Sequence, residues 1–131
     1  MQIKTILNRI QKHRGFVYGP IRLVEEPDGL ELHVEIYPHL RSRPRCSTCG
    51  RRRAQYDTAG LRRFEFVPLW GMQVFFLYLM RRVSCPTCGV RVEAVPWAEG
   101  KRSITTTYAW FLARWAKRLS WRDVATAFRT S

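Results

Sequence analysis

Two matched cysteine motifs constrain this chain more than any other feature of its 131 residues. The first, CSTCG, runs from Cys46 to Gly50, and the second, CPTCG, runs from Cys85 to Gly89. Two residues between cysteines let one tight turn present two thiolates to the same ion, and the following glycine allows backbone amides to turn toward the sulfurs. We therefore predict one metal site on four ligands: Cys46, Cys49, Cys85 and Cys88.

The spacing of the motifs indicates an elaborated zinc ribbon. Residues 50–84 separate the two motifs. This length suits a β-hairpin that joins two knuckles, the tight turns that each carry one cysteine pair, and it is longer than the hairpin of the shortest ribbons. Zinc binds four thiolates in a tetrahedron at about 2.3 Å each, and four protein ligands leave no open position for a substrate. One structural Zn²⁺ is therefore expected, able to supply on the order of 10 kcal/mol of folding free energy.

Two other chemistries fit parts of this pattern. An iron site of the rubredoxin kind uses the same four ligands, so the sequence leaves zinc and iron both open. A redox pair formed by Cys85 and Cys88 would suit the proline between them. Two matched motifs, each followed by glycine, favour metal over that redox pair.

The charge of the chain predicts a polyanionic partner. Lys and Arg number 23 against 10 Asp and Glu, a formal net charge of +13. Arginine is dense around the first motif, and its planar fork suits phosphate and guanine edges. Nucleic acid is the preferred partner of this sign and size of charge, ahead of an anionic membrane surface. No segment is typical of a signal peptide or a membrane span. A cytoplasmic location, where cysteines stay reduced, is expected.

Clustered basic side chains are the candidate contacts to double-stranded DNA, with RNA left open as a variant. The densest group flanks the first cysteine motif, and the rest lie on predicted strands and in the C-terminal quarter. The candidates are Arg41, Arg43, Arg45, Arg51, Arg52, Arg53, Arg63, Arg82, Lys101, Arg102, Arg114, Lys117, Arg118 and Arg122.

Hydrophobic periodicity predicts an α+β fold. Apolar residues at helical spacing between Ile3 and Ile10 indicate a short helix that Gly15 can end. Alternation predicts strands at 21–26, 30–37, 61–67, 72–83 and 90–95. Turn residues occupy 27–29 and 69–71, and Pro and Gly in 96–102 indicate a linker. The aromatic residues of the strands are expected in the core rather than stacked on bases: Phe64, Phe66, Phe75, Phe76 and Tyr78.

The C-terminal residues are typical of the first two helices of a helix-turn-helix. A wide apolar stripe begins at Tyr108 and reaches Leu119. Ser120 and Asp123 fit a capping box that starts a second helix. The recognition helix would follow a turn at 129–131, where the sequence stops, so the motif is incomplete. An alternative is a protein-interaction or homodimerisation module that uses Trp110, Trp115 and Trp121.

These patterns divide the chain into three segments. Residues 1–38 form an N-terminal helix and β-hairpin, 39–98 the zinc-ribbon domain, and 99–131 the two helices of a truncated helix-turn-helix. The hairpin carries five of the ten acids, so it is the part least suited to face DNA: Glu25, Glu26, Asp28, Glu31 and Glu35.

Five short motifs, in their order along residues 40–129, resemble the N-terminal part of bacterial insertion-sequence transposases of the ISL-three family. They are Cys46-Ser-Thr-Cys49-Gly50, Leu69-Trp70-Gly71, Arg81-Arg82 ahead of Cys85, Val95-Pro96-Trp97-Ala98-Glu99-Gly100, and Leu119-Ser120-Trp121-Arg122. The resemblance implies a zinc ribbon on the four cysteines, then a helix-turn-helix, then a DDE nuclease domain. It also implies recognition of the terminal inverted repeats of a mobile element, in the bacterial cytoplasm at the nucleoid.

The same resemblance leads us to expect DNA binding without catalysis. A DDE nuclease needs three spaced carboxylates that hold two metal ions, whereas the acids here cluster in the early hairpin. The chain is short for a ribbon, a helix-turn-helix and a nuclease together. A natural truncation, a fragment and a transposase-derived transcriptional regulator all fit this expectation.

Overall fold

The computed structural model describes residues 2–117 and 120–129. These residues form helices and strands in mixed order, which confirms the predicted α+β class. The elements are α1 (Ile3–Ile10), β1 (Phe16–Glu26), β2 (Gly29–Pro38), β3 (Arg45–Cys46), β4 (Ala54–Leu69), β5 (Met72–Cys85), β6 (Gly89–Ala94), α2 (Thr106–Ala116) and α3 (Trp121–Phe128). No helix in the described ranges is both long and apolar enough to cross a membrane.

The predicted strands are all present, and two of them start earlier than the alternation indicates. β1 starts at Phe16 and passes an irregularity between Tyr18 and Ile21, where Gly19 and Pro20 interrupt the pattern. β4 starts at Ala54, in a polar stretch that pairing with β5 organises. Long-range pairing therefore extends strands beyond their apolar signal.

The N-terminal helix is shorter than predicted. It ends at Ile10, not near Gly15, and the N–H of Gln11 donates to the carbonyl of Leu7 at 2.8 Å. A narrow apolar stripe supports only the turns that pack, and Leu7 is the buried residue of this helix.

The long strand β5 organises the whole sheet. β4 runs antiparallel along one of its edges, from the pair Ala54–Ser84 to the pair Leu69–Met72. The opposite edge takes β2 in parallel and then β6 in antiparallel pairing. β1 extends the sheet beyond β2, and β3 pairs with β6. Strands from 1–38 and from 39–98 therefore share one sheet.

The main core lies under this sheet and is largely aromatic. The five aromatic residues predicted for the core are all buried, which confirms that prediction. Phe66 and Phe76 stack with their ring centroids 4.7 Å apart. Phe75 lies outside the main cluster, where the guanidinium of Arg63 covers its ring at 4.1 Å. Because all five rings are buried, they do not form an exposed base-stacking platform.

The segment 96–102 connects β6 to α2, as predicted for a linker, and it also supplies a central core residue. Trp97 is 1% exposed and meets Phe16, Tyr78 and Phe64 edge-on, at centroid distances of 5.0, 5.1 and 5.8 Å. Its carbonyl accepts a hydrogen bond from the N–H of Thr106 at 2.8 Å. Pro and Gly near Trp97 led to the linker prediction. The buried indole nevertheless packs this segment against the sheet.

The C-terminal helices pack on β4 through a second, smaller core. Tyr108, Leu112 and Val124 are buried there. The Thr105 hydroxyl caps α2 by accepting from the N–H of Tyr108 at 3.3 Å, and it donates to the carbonyl of Glu65 at 3.0 Å. This double contact ties the start of α2 to the strand.

Ser120 caps α3 as predicted, which supplies one half of the expected capping box. The Ser120 hydroxyl accepts from the N–H of Asp123 at 3.2 Å and donates to the carboxylate of Asp123 at 2.8 Å. The predicted tight connection at Arg118 and Leu119 lies outside the described residues, as does the end of the turn at 129–131. At the end of α3, Arg129 donates to the carbonyls of Asp28 and Gly71, each at 2.9 Å.

Candidate metal centre and nucleic-acid interface

Four cysteines from two distant knuckles converge at one end of the β4–β5 hairpin. Their Sγ atoms all lie within 4.8 Å of one another, and those of Cys49 and Cys85 are 3.8 Å apart. A tetrahedron with bonds of about 2.3 Å places its sulfurs about 3.8 Å apart. Cys46 and Cys85 are buried, Cys88 is half-buried and Cys49 is exposed. The donor set therefore suits one thiophilic metal ion.

Strand pairing and tight turns place the two knuckles together. Cys46 lies on β3, which pairs with β6, while Cys85 ends β5. The N–H of Gly50 donates to the carbonyl of Cys46 at 2.8 Å, closing the first turn. Gly50 and Gly89 adopt φ values of 74° and 84°, a left-handed backbone that favours glycine. The glycine after each cysteine pair is thus required by the turn, as the motif predicts.

The pKa of each cysteine thiol depends on the backbone amides of its turn and on the neighbouring sulfurs. The backbone N–H of Cys49 holds the pKa of Cys46 below its usual value. Burial opposes ionisation of Cys85, but the amides of Cys88 and Thr87 outweigh it and lower the pKa of Cys85 to about 6. Burial and the neighbouring sulfurs raise the pKa of Cys88 to about 12. Four sulfurs this close ionise together only around a cation, which agrees with a metal site.

Arg53, a candidate DNA contact, lies against this centre. Burial opposes its charge, yet hydrogen bonds with the sulfurs of Cys85 and Cys49 hold the pKa of Arg53 above its usual value. The backbone N–H of Arg53 donates to the carbonyl of Pro44 at 2.9 Å. The guanidinium therefore offsets thiolate charge beside the cysteines.

The structure brings together a group of the arginines that flank the first motif. Arg52 donates to the carbonyl of Arg43 at 2.7 Å, and Arg45 donates to the carbonyl of Gly50 at 3.1 Å. These contacts leave the charges uncompensated, since within residues 2–117 and 120–129 neither these three nor Arg41 and Arg51 form an ion pair. All five are exposed. This knuckle end thus presents concentrated positive charge.

The two strand arginines differ from that group because each has an acidic partner. Arg82 forms a bidentate pair with Asp57, whose pKa is lowered by the hydrogen bond from Arg82. Arg63 lies 3.9 Å from Glu31 and covers the ring of Phe75 at 4.1 Å. Their net contribution to a positive surface is therefore smaller than the sequence alone indicates.

The remaining candidates lie in the helical region and the segment leading to it. The side chains of Lys101, Arg102, Arg114, Lys117 and Arg122 are exposed, and Arg118 lies outside the described residues. The backbone carbonyl of Glu65 accepts from the N–H of Thr105 at 2.9 Å, which attaches the start of α2 to β4. Lys101 lines a cavity that also includes Ser47 of the first cysteine motif. Arg114 and Arg122 instead lie on α2 and α3.

Two functional features escaped prediction. Arg14, between α1 and β1, lies in the same cleft as Arg43, Arg45 and Arg52. Arg81 and Glu93 form a buried ion pair with Nη2 and Oε2 3.0 Å apart. Strand alternation could have indicated the second of these features, because one of two adjacent strand arginines, such as Arg81 and Arg82, must face inward. No local sequence signal could have placed Arg14 beside residues about thirty positions later.

The comparisons with known proteins agree with part of the resemblance. The chain is 34% identical over 109 residues to the transposase for insertion sequence element IS1557 of Mycobacterium tuberculosis, an alignment covering 74% of this chain and 24% of the relative. The same transposase from a second strain gives the same values. No protein-family model and no solved structure matches significantly. This chain, which spans about a quarter of those curated relatives, is distantly homologous to part of a transposase.

Proposed function

We propose that the chain is the zinc-dependent DNA-binding part of a transposase of the ISL-three type, which recognises element-end DNA such as terminal inverted repeats. The observation that carries the proposal is the placement of Arg43, Arg45 and Arg52, without acidic partners among the described residues, beside four converged cysteines. The similarity to a transposase supports DNA as the polyanion.

One structural zinc ion is the proposed cofactor, on Cys46, Cys49, Cys85 and Cys88. When bound, zinc neutralises thiolate charge and joins the two knuckles, which few apolar contacts hold otherwise. Among the described residues, the buried cluster at the knuckles contains one residue other than cysteine, Val83. Metal analysis of the purified protein separates zinc from iron, which the same ligands accept.

We also propose that this chain binds DNA without cutting or joining it. Within the described ranges, the cysteines are the one group of three or more side chains suited to a metal. Strand transfer by two metal ions requires carboxylates instead. The three predicted segments keep their proposed roles: 1–38 as support, 39–98 as the metal-bearing DNA contact, and 99–131 as the first two helices of a helix-turn-helix.

Fluorescence anisotropy of the zinc-loaded protein with a labelled duplex, repeated across salt concentrations, tests this function. We expect affinity to fall linearly on a logarithmic salt scale, with a slope reporting the number of phosphates contacted. Replacing Arg43, Arg45 and Arg52 by Gln should flatten that slope, whereas Arg22→Gln, which removes an exposed partner of Glu35, should not. Absence of duplex binding at low salt, or stronger binding to competing single-stranded RNA, would overturn the proposal.

Exposed tryptophan favours a second candidate, a protein-interaction or dimerisation module or transposase-derived regulator. Trp110 and Trp121 are 68% and 65% exposed, on α2 and α3 respectively. Large aromatic side chains are enriched at protein interfaces. Sedimentation equilibrium distinguishes the candidates, since association that is insensitive to salt and lost in Trp110→Ala would support this module.

A further inference from the structure

A cleft of about 330 Å³ opens beside the metal centre, at the junction of three parts of the chain. Arg14 comes from the connection between α1 and β1, Arg43 and Arg45 come from the arm (residues 39–45), and Arg52 comes from the segment after the first knuckle. The side chains of Phe16 and Pro44 contribute apolar walls. Positive charge and apolar surface are thus combined in one concave site.

The arm is fixed to the protein and not free in solvent. The N–H of His39 donates to the carbonyl of Gly15 at 2.8 Å. Gly15 has a φ of 87°, and a Cβ atom there would lie 3.1 Å from the Ser42 hydroxyl. Glycine therefore allows the arm to approach the residue directly after Arg14, which places Arg14 opposite Arg43 and Arg45 without any local sequence signal.

The base of the cleft holds the buried pair of Arg81 and Glu93. Glu93 accepts hydrogen bonds from the Tyr78 hydroxyl at 2.6 Å and from the Arg81 N–H at 2.9 Å, besides those from the guanidinium. Arg81 also donates to the carbonyl of Ser42 at 3.0 Å, which fixes the arm from below. Glu93 lines the cleft, but because its charge is matched by Arg81, this carboxylate does not repel an anion.

We propose that this cleft binds one backbone phosphate of double-stranded DNA with its sugar, and that Arg14 is a phosphate contact contributed from outside the ribbon. The inference rests on the proposed DNA-binding function and deepens it. In the described ranges, Arg14 forms no ion pair, like Arg43, Arg45 and Arg52. Guanidinium groups bind phosphate oxygens in bidentate geometry, and the apolar walls suit a deoxyribose face. Such a contact positions the protein on the duplex and carries no sequence information.

Duplex binding by Arg14→Gln, in the zinc-loaded chain, tests the proposal. We expect affinity to fall about tenfold, equally for duplexes of different sequence, because one charge-assisted hydrogen-bonded contact is lost. The salt slope should decrease by about 1. Arg14→Lys should retain most of the affinity. Arg9→Gln is the matched control, since Arg9 lies in the last turn of α1 and outside the cleft. Far-UV circular dichroism and metal content should be unchanged in all three variants.

Duplexes with single neutral methylphosphonate linkages locate the contact. Wild-type protein and Arg9→Gln should lose affinity when the linkage in the cleft is neutralised, whereas Arg14→Gln should lose less affinity at that one position, since Arg14 no longer contributes and Arg43, Arg45 and Arg52 remain there. If wild type binds duplex with a steep salt slope but Arg14→Gln matches Arg9→Gln, or loses as much affinity as wild type at every linkage, the cleft proposal fails alone. If wild type does not bind duplex at low salt, the proposed function and the cleft proposal both fail.

Discussion

The two ends of the β4–β5 hairpin are stabilised by different physical means. At the knuckle end, the buried cluster consists of Cys46, Cys85 and Val83, and convergent thiols take the place of a larger core. At the helical end, Tyr108, Leu112 and Val124 form an apolar cluster with no metal-ligating group. The same strand pair thus carries a site suited to one metal ion at one end and a cluster of buried apolar side chains at the other.

The ends also differ in how they use arginine. At the knuckle end, Arg43, Arg45 and Arg52 retain uncompensated charge, which suits a polyanion. At the helical end, Arg129 satisfies two backbone carbonyls of hairpin turns and so serves the fold. An arginine count along the sequence therefore overstates the surface available to DNA.

The largest expected effect is confined to the knuckle end. Cys85→Ser removes a buried ligand, so we expect loss of zinc and of stabilisation on the order of 10 kcal/mol at that end, with collapse of DNA binding. Metal analysis and hydrogen exchange check this, with β3 and β6 amides losing protection before those of α2. Ser84→Ala, at the exposed neighbouring position, should keep its zinc. Full metal content and an intact ribbon in Cys85→Ser would falsify the four-cysteine site.

Trp97→Ala should destabilise both ends together, because Trp97 fills the core between them. Loss of an indole that is 1% exposed should lower the free energy of unfolding by about 3–5 kcal/mol. Urea unfolding of the zinc-loaded protein, followed by far-UV circular dichroism, measures it. Trp70→Ala, at a position that is 81% exposed, is the control and should change little. Equal losses in the two variants would contradict the central role of Trp97.

Breaking the buried ion pair should weaken the knuckle end less than loss of a ligand. Glu93→Ala leaves Arg81 buried without its partner, so we expect a loss of about 3–5 kcal/mol. The comparison is Glu35→Ala, which removes the exposed pair with Arg22 and should cost about 1 kcal/mol or less. Denaturant unfolding of both variants gives the two values. A loss in Glu93→Ala no greater than in Glu35→Ala would show that the pair is not a structural support.

The smallest effect belongs to the helical end alone. Ser120→Ala removes the N-cap of α3 and should cost about 1 kcal/mol. Amide exchange should accelerate in α3 while the knuckle amides keep their protection. Thr126→Ala removes a hydroxyl that donates within the same helix and should leave the exchange unchanged. Faster exchange at both ends in Ser120→Ala would mean that the two ends unfold as one unit.

Local chemistry made much of the site predictable. The spacing within each motif fixes which sulfurs can share an ion, and Gly50 and Gly89 are required by the turns themselves. The alternation in β2 and the helical periodicity up to Ile10 correctly predicted a strand and a helix, because both patterns depend on residues close in sequence. The Ser120–Asp123 cap was visible for the same reason.

Features that depend on distant partners were not predictable. The parallel pairing of β2 with β5 joins segments forty residues apart, and the acidic partner that neutralises Arg82 lies across the β4–β5 pairing, at Asp57. The segment 96–102 connects β6 to α2 as predicted, but the burial of Trp97 within it was missed for the same reason, because only the assembled sheet provides the space that Trp97 fills.

The sequence by itself determined the four sulfurs, the turns that present them, the strands and the excess of positive charge. The tertiary structure decided which arginines keep their charge, that Arg53 lies against sulfur, and that Arg14 faces the arm. The physical reason is range: turn and periodicity signals act over a few residues, whereas neutralisation and cleft formation depend on which distant segments the sheet brings together.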